Sequence, residues 1–166
     1  MTKRPRHDVL NAIRDKPEAI RRFMAATQLL AVERPRGIGE LEKISQSGNK
    51  EIATRARFAL AQAKEADAQY DAAASLYQEL LKQNEPVIAA DTLNLRLASV
   101  YEKQGKKAEA SDILFRMVKA AREAKGADGK PAPQTEAVRQ AGDKLETLDP
   151  QRFAQLPPET PTGLPS

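Results

Sequence analysis

Three stretches of the chain repeat one pattern of small and bulky apolar residues. The recurring positions are Met24, Ala25, Gly37, Leu41 and Ile44, then Leu60, Ala61, Ala73, Tyr77 and Leu80, then Leu97, Ala98, Ala110, Leu114 and Met117. The first offset is 36 residues and the second is 37. A period in the thirties is typical of stacked helix pairs. The repeat therefore predicts an all-α, antiparallel helix-pair solenoid with about three repeats, an architecture that usually provides a binding surface.

The composition of the chain also favours helices. Alanine, the residue with the highest helix propensity, is abundant, and residues 51–84 contain neither Gly nor Pro. Val and Ile are sparse and do not alternate with polar residues, so a sheet is disfavoured. The absence of cysteine excludes disulfides and thiolate metal sites, but it leaves the redox compartment undecided.

Breaks in the pattern predict three segments. Residues 1–16 form a basic extension with a short helix of its own from Asp8 to Asp15. Pro17, at a first helical position, opens the helical repeat domain of residues 17–148. Residues 149–166 are Pro-rich and lack apolar periodicity, which predicts a disordered tail.

Apolar spacing predicts which faces of the first and last helices are packed. The first helix of the domain carries a stripe at helical spacing: Ile20, Met24, Thr27, Leu30 and Ala31. Gly48 is predicted to end the second helix in the left-handed conformation. After a loop over residues 126–133, a last helix near residues 135–148 has one apolar and one charged face, as a terminal cap of a repeat array requires.

The net charge of +4 is unevenly distributed. Residues 1–36 carry nine Lys or Arg and four Asp or Glu, a net +5, whereas the remaining residues sum to −1. Such a segment is either a solvated surface or a contact for anionic lipid or nucleic acid. Nucleic-acid binding is disfavoured because aromatic residues are not interleaved with the basic ones. No stretch resembles a signal peptide or a membrane span.

The repeat resembles the tetratricopeptide repeat over residues 18–48, 54–84 and 91–122. That family places a small residue in helix A and another early in helix B, because two antiparallel helices approach closely only where side chains are small. The helix A residues that match are Ala25, Ala61 and Ala98, and the helix B residues are Gly37, Ala73 and Ala110. The chain departs from the family at Lys64, where an aromatic residue is usual, and at Pro86, which falls one residue late.

The resemblance implies that helix A residues line a concave groove that holds a peptide or protein. The implied partner-binding residues are Arg22, Arg55, Phe58, Gln62, Glu65, Leu95, Arg96 and Ser99. Arginines in such a groove would pair with carboxylates, and Phe58 would serve as an apolar anchor. The lysine and asparagine clamp of chaperone-binding members is absent, so that ligand class is disfavoured. Self-burial of Phe58 and Leu95 by the N-terminal helix, or a homodimer, is an equally weighted alternative.

Catalytic chemistry has little support in the sequence. His7, the only histidine, stands in the basic extension without a positioned neighbour. No glycine-rich phosphate loop is present, and Asp128-Gly129 lacks the other acidic ligands of a calcium loop. The sequence therefore predicts no enzyme, no cofactor and no metal site.

The predicted function is that of a non-enzymatic protein-interaction scaffold. Two alternatives stay open: a self-association module, and a membrane-associated bacterial assembly or translocation factor whose anchor lies upstream of the basic segment. The compartment is accordingly undecided between the cytoplasm and the periplasmic side of the inner membrane. The sequence does not name the partner.

Overall fold

The chain is all-α, as predicted. A computed structural model describes residues 6–83 and 87–159, with side chains described from Asp15 onward. The helices in these ranges are α1 (Arg6–Val32), α2 (Arg34–Ser45), α3 (Lys50–Ala66), α4 (Tyr70–Leu81), α5 (Ala90–Lys103), α6 (Lys107–Glu123), α7 (Glu136–Leu148) and α8 (Pro150–Phe153). Within the same ranges there is no strand, and an isolated antiparallel β-bridge joins Lys125 to Pro131.

Most helices that follow one another in the sequence pack against one another. The chain divides into two compact units between Leu76 and Tyr77, inside α4. In unit 1, which ends at Leu76, α2 packs against both α1 and α3. In unit 2, which begins at Tyr77, α6 packs against both α5 and α7. This order confirms the predicted consecutive helix pairs.

The turns after α3 and α5 have the same backbone geometry. The Gln69 N–H donates to the Lys64 carbonyl at 2.8 Å, and the Lys106 N–H donates to the Tyr101 carbonyl at 2.9 Å. These are the long-range hydrogen bonds of a Schellman motif, in which the preceding residue is left-handed. The left-handed residues and their φ angles are Ala68 at 57° and Gly105 at 74°. Gly48 is not left-handed, so its predicted cap conformation is wrong.

The first helix pair is joined more tightly, because Glu33 alone separates α1 from α2. A Cβ atom on Gly37 would lie 2.6 Å from the backbone nitrogen of Leu30 and 2.9 Å from the carbonyl carbon of Leu29. No side chain fits at that separation, since real Cβ atoms do not approach backbone so closely. The prediction that Gly37 permits a close helix crossing is confirmed.

The packed face of α1 differs from the predicted one. Its side chains in the unit 1 core are Ala19, Phe23, Ala26 and Leu30. Ile20, Met24 and Ala31 of the predicted stripe are exposed, and so is Ala25, which was predicted at the helix crossing. The α1–α2 turn has one residue whereas the α3–α4 turn has three. The shorter turn displaces the repeat pattern in α1, so that Ala26 rather than Ala25 is buried.

The N-terminal boundary was also predicted wrongly. The helix α1 continues without interruption from Arg6 through Pro17 to Val32. There is therefore no separate helix from Asp8 to Asp15 and no domain start at Pro17. Residues 1–5 of the predicted extension lie outside the described residues, as do the side chains before Asp15, among them His7.

The C-terminal part of the chain is folded further than predicted. Val138, Ala141 and Leu145 of α7 are buried, which confirms the apolar face expected of the last helix. Beyond α7, residues 150–159 belong to unit 2: they include α8, and Leu156 is 9% exposed. The predicted disordered tail is therefore wrong for these residues, and residues 160–166 lie outside the described part of the chain.

Candidate interaction surfaces

The residues predicted to bind a partner in unit 1 differ widely in exposure. Arg22 and Arg55 are exposed, and Arg55 pairs with a glutamate one turn earlier at 3.3 Å. Phe58 and Gln62 are partly buried. Glu65 is only 8% exposed. The carboxylate of Glu65 therefore belongs to the packed side of α3, in contrast to the open groove position that the resemblance implied.

The predicted residues in unit 2 lie on α5. Arg96 is exposed, while Leu95 and Ser99 are partly buried. The helix α7 packs against α5, and the Lys144 ammonium donates to the Glu102 carboxylate at 3.0 Å. Part of α5 that the resemblance assigns to a partner is thus covered by the chain itself. Binding by the predicted residues of both units stays a prediction.

Unit 2 contains a groove that the sequence analysis did not identify. This α5–α6 groove has a volume of about 590 Å³ and is lined by residues of α4, α5, α6 and α8. Its apolar side chains are Leu81, Leu97, Tyr101, Ala108 and Ile113. Its polar side chains are Gln78, Asn94, Glu109, Asp112, Arg116 and Arg152. An apolar floor with a few polar groups is the usual composition of a protein's binding groove.

Asn94 lies where the groove meets a second cavity. This cavity has a volume of about 410 Å³, shares Asn94, Ile113 and Arg116 with the groove, and extends to residues 132–135. Asn94 is partly buried, and its side-chain amide has no hydrogen-bond partner among the described residues. By contrast, the Gln78 amide in the same groove donates to the Tyr101 hydroxyl at 2.7 Å. The Asn94 amide thus keeps both donor and acceptor capacity for a ligand.

Two arginines on the edge of the groove are held by one carboxylate. Arg116 pairs with Asp112 at 3.1 Å, one turn apart on α6. Arg152 of α8 donates to the same carboxylate, and its guanidinium lies 5.1 Å from the centre of the Phe115 ring. With Glu109, which also lines the groove, the two carboxylates balance the two guanidinium groups. The exposed Arg116 guanidinium can still pair with an anionic ligand group.

The position of Arg152 depends on the cap of α8. The Asp149 side chain accepts a hydrogen bond from the Arg152 backbone N–H at 3.1 Å and from the Ser111 hydroxyl at 2.8 Å. These two hydrogen bonds hold the pKa of Asp149 below its ordinary value of 3.8, because both stabilise the ionised carboxylate. The hydrogen bond from Ser111 has the larger effect. Ser111, which is buried on α6, thereby fixes the start of α8 and the arginine that follows it.

Sequence reasoning had one signal for this groove. An asparagine inside a helix is unfavourable, because its amide competes for backbone hydrogen bonds. Asn94 stands directly after the buried Leu93 and three residues before the buried Leu97. A polar residue at the border of an apolar stripe could have indicated the groove. The contribution of Arg152 could not be found in this way, because the sequence predicts a disordered tail over residues 149–166.

No protein-family model, curated protein or solved structure that was compared with the chain matches it. The tetratricopeptide resemblance therefore stands on the repeated residues alone. None of the helices in residues 6–83 and 87–159 is long and apolar enough to cross a membrane. In the same ranges, no group of three or more His, Cys, Asp or Glu side chains is placed to hold a metal ion.

Proposed function

We propose that this protein is a non-enzymatic interaction scaffold built from tetratricopeptide-like helix pairs, and that unit 2 binds an extended peptide segment in the α5–α6 groove. The observation that carries the proposal is Asn94, which lines the groove and whose amide has no hydrogen-bond partner among the described residues. An extended peptide exposes backbone N–H and C=O groups, and a side-chain amide can pair with both at once.

The rest of the groove suits the side chains of such a peptide. Leu97 and Ile113 are almost fully buried and form an apolar floor, on which an aliphatic or aromatic side chain would lose water. The side chain of Arg116 is 69% exposed although it pairs with Asp112. A ligand carboxylate would find a guanidinium there that is already positioned. The proposed ligand is thus a peptide with an apolar residue close to an acidic one.

Selection from a random peptide library tests this proposal. The full chain is immobilised, a phage-displayed library of short peptides is selected on it, and recovered peptides are measured by fluorescence anisotropy. We expect enrichment of peptides with an apolar residue next to Asp or Glu. Asn94→Ala and Arg116→Glu should each weaken binding by about tenfold or more, the size expected of residues that dominate an interface.

Matched variants distinguish the groove from the surface that the resemblance implies. Lys119→Glu reverses one charge on the exposed side of α6 but lies outside the groove, so it should leave binding unchanged. Arg55→Glu and Arg96→Glu test the predicted helix A residues in the same assay. If only these two variants weaken binding, the α5–α6 groove is not the site. If no peptide is enriched, peptide binding by this protein is contradicted.

A further inference from the structure

The second cavity, which meets the α5–α6 groove at Asn94, has a carboxylate in its wall. Asp91, in the first turn of α5, lines this cavity of about 410 Å³. The Asp91 carboxylate accepts a hydrogen bond from the Thr135 hydroxyl at 3.0 Å, and no cation among the described residues pairs with it. Because a carboxylate can accept about four hydrogen bonds, most of its capacity is left for a ligand.

Thr135 holds this carboxylate in position. Its hydroxyl accepts a hydrogen bond from the Val138 backbone N–H at 3.3 Å, which caps α7, and donates its one proton to Asp91. The loop before α7 is tied to the end of α6 by the Ala132 N–H, which donates to the Ala124 carbonyl at 3.0 Å. A ligand cation would therefore meet a carboxylate that is already oriented, which reduces the entropic cost of binding.

The rest of the cavity wall suits an aliphatic chain. Small apolar residues of α6 and of the following loop line it: Ala120, Ala121, Ala124, Ala132 and Pro133. Three of these, Ala120, Ala124 and Pro133, are exposed to solvent, so an apolar group placed against them would remove surface from water. Lysine and arginine side chains lay their hydrocarbon stem along such a surface while the charged group reaches a polar partner.

The charges of the cavity and of the groove are divided between two ligand groups. Arg116 is the only cation among the described residues that line the cavity, and it lies 3.1 Å from the carboxylate of Asp112. Asp112 lines the groove but not the cavity, whereas Asp91 lines the cavity but not the groove. The groove thus offers a guanidinium to an acidic group, and the cavity offers a carboxylate to a basic one.

The spacing along α5 relates the cavity to the groove. Asp91, Asn94 and Leu97 follow one another at intervals of three residues, which places neighbouring Cβ atoms about 5–6 Å apart. From a peptide backbone held at Asn94, a long side chain such as Lys or Arg reaches Asp91, and a short one does not. The six residues from Asp91 to Leu97 rise about 9 Å, a distance that an extended peptide covers in about three residues.

We propose that the second cavity binds a lysine or arginine side chain of the peptide that lies in the α5–α6 groove, with its charged group on Asp91. This inference rests on the proposed peptide binding by unit 2. It adds to the apolar and acidic residues of that peptide a basic residue about three positions from the apolar one. The lining that cavity and groove share at Asn94 and Ile113 favours one continuous ligand over a free cation.

A double-mutant cycle on the peptides recovered from the library tests this inference. We expect these peptides to contain Lys or Arg. Each is compared with a copy in which that residue is norleucine, which keeps a hydrocarbon stem without charge. Both are titrated by fluorescence anisotropy on the full wild-type chain and on Asp91→Asn. The substitution should weaken binding of the basic peptide by about tenfold or more and leave the norleucine peptide within about twofold.

The norleucine peptide and a second variant provide the controls. An asparagine at position 91 can still accept the hydrogen bond from Thr135, and retained binding of the norleucine peptide shows that the variant is folded. Glu123→Gln removes a negative charge from an exposed residue that stands next to Ala124 but does not line the cavity. This variant should bind both peptides as the wild type does.

The failure of this inference differs from the failure of peptide binding itself. Recovered peptides that depend on Asn94 but contain no basic residue would overturn the inference and leave the groove in place. An equal loss of the basic and norleucine peptides on Asp91→Asn would do the same. If no peptide is enriched, both proposals are contradicted. If agmatine raises the melting temperature of the wild type but not of Asp91→Asn, while the peptides lack a basic residue, the cavity takes a free cation and the inference is wrong.

Discussion

Gly37 is the residue at which backbone approaches backbone most closely in the first helix pair. A Cβ atom there would lie 2.6 Å from the Leu30 nitrogen, and backbone cannot move aside as a flexible side chain can. We therefore expect Gly37→Ala to lower the free energy of unfolding by about 1–3 kcal/mol, the usual cost of overpacking. Urea unfolding followed by circular dichroism measures this change.

Gly39 provides the matched control in the same helix. A Cβ atom at Gly39 would meet nothing within 4 Å, and alanine is favoured over glycine inside a helix. Gly39→Ala should therefore raise the free energy of unfolding by about 0.5–1 kcal/mol. If Gly37→Ala and Gly39→Ala changed the free energy of unfolding equally, helix propensity and not the close helix crossing would determine the effect at Gly37.

Whether the burial of a single residue could be predicted depended on the length of the turn between the two helices of its pair. Ala61 and Ala98 are buried as the period predicts, because the turns after α3 and α5 have the same length and the same hydrogen bonds. Met24 and Ala25 were misplaced because Glu33 alone joins α1 to α2. The left-handed Ala68 could not be predicted, since a non-Gly residue at positive φ has no sequence signature.

At the scale of elements, α1 and α8 were the ones that sequence reasoning missed. Proline inside a helix costs about 3 kcal/mol, so the sequence predicts a helix boundary at Pro17. The uninterrupted helix means that packing of Ala19, Phe23 and Leu30 on the unit 1 core outweighs a local preference. The short α8 was missed because its anchors, Ser111 and Arg122, are distant in sequence. Arg122 donates to the Pro157 carbonyl at 2.7 Å, a contact that no local pattern indicates.

The cap of α8 makes part of the stability depend on pH. The folded-state pKa of Asp149 is below the ordinary value of 3.8, so the ionised carboxylate stabilises the fold. This contribution is complete above the unfolded-state pKa and is lost as the pH falls through the lower, folded-state pKa. We expect Asp149→Asn to be less stable than the wild type at pH 6, and the difference to shrink as the pH is lowered towards about 3.

Urea unfolding of both proteins over this pH range measures the effect. Asp143→Asn, which changes an exposed aspartate of α7, is the control and should leave the pH dependence as it is in the wild type. Ser111→Ala should act like Asp149→Asn, because it removes the hydrogen bond that lowers the pKa of Asp149 most. A constant difference between Asp149→Asn and wild type at every pH would contradict a role for the ionised carboxylate.

For the whole molecule, the architecture was more predictable than the binding sites. The all-α class and the consecutive helix pairs follow from a period that recurs over the chain. The α5–α6 groove does not follow from this period, because its lining comes from four helices between Gln78 and Arg152. Which residues of one helix meet those of another is decided by turn lengths and by the fold of residues 150–159. Neither could be derived from the repeat.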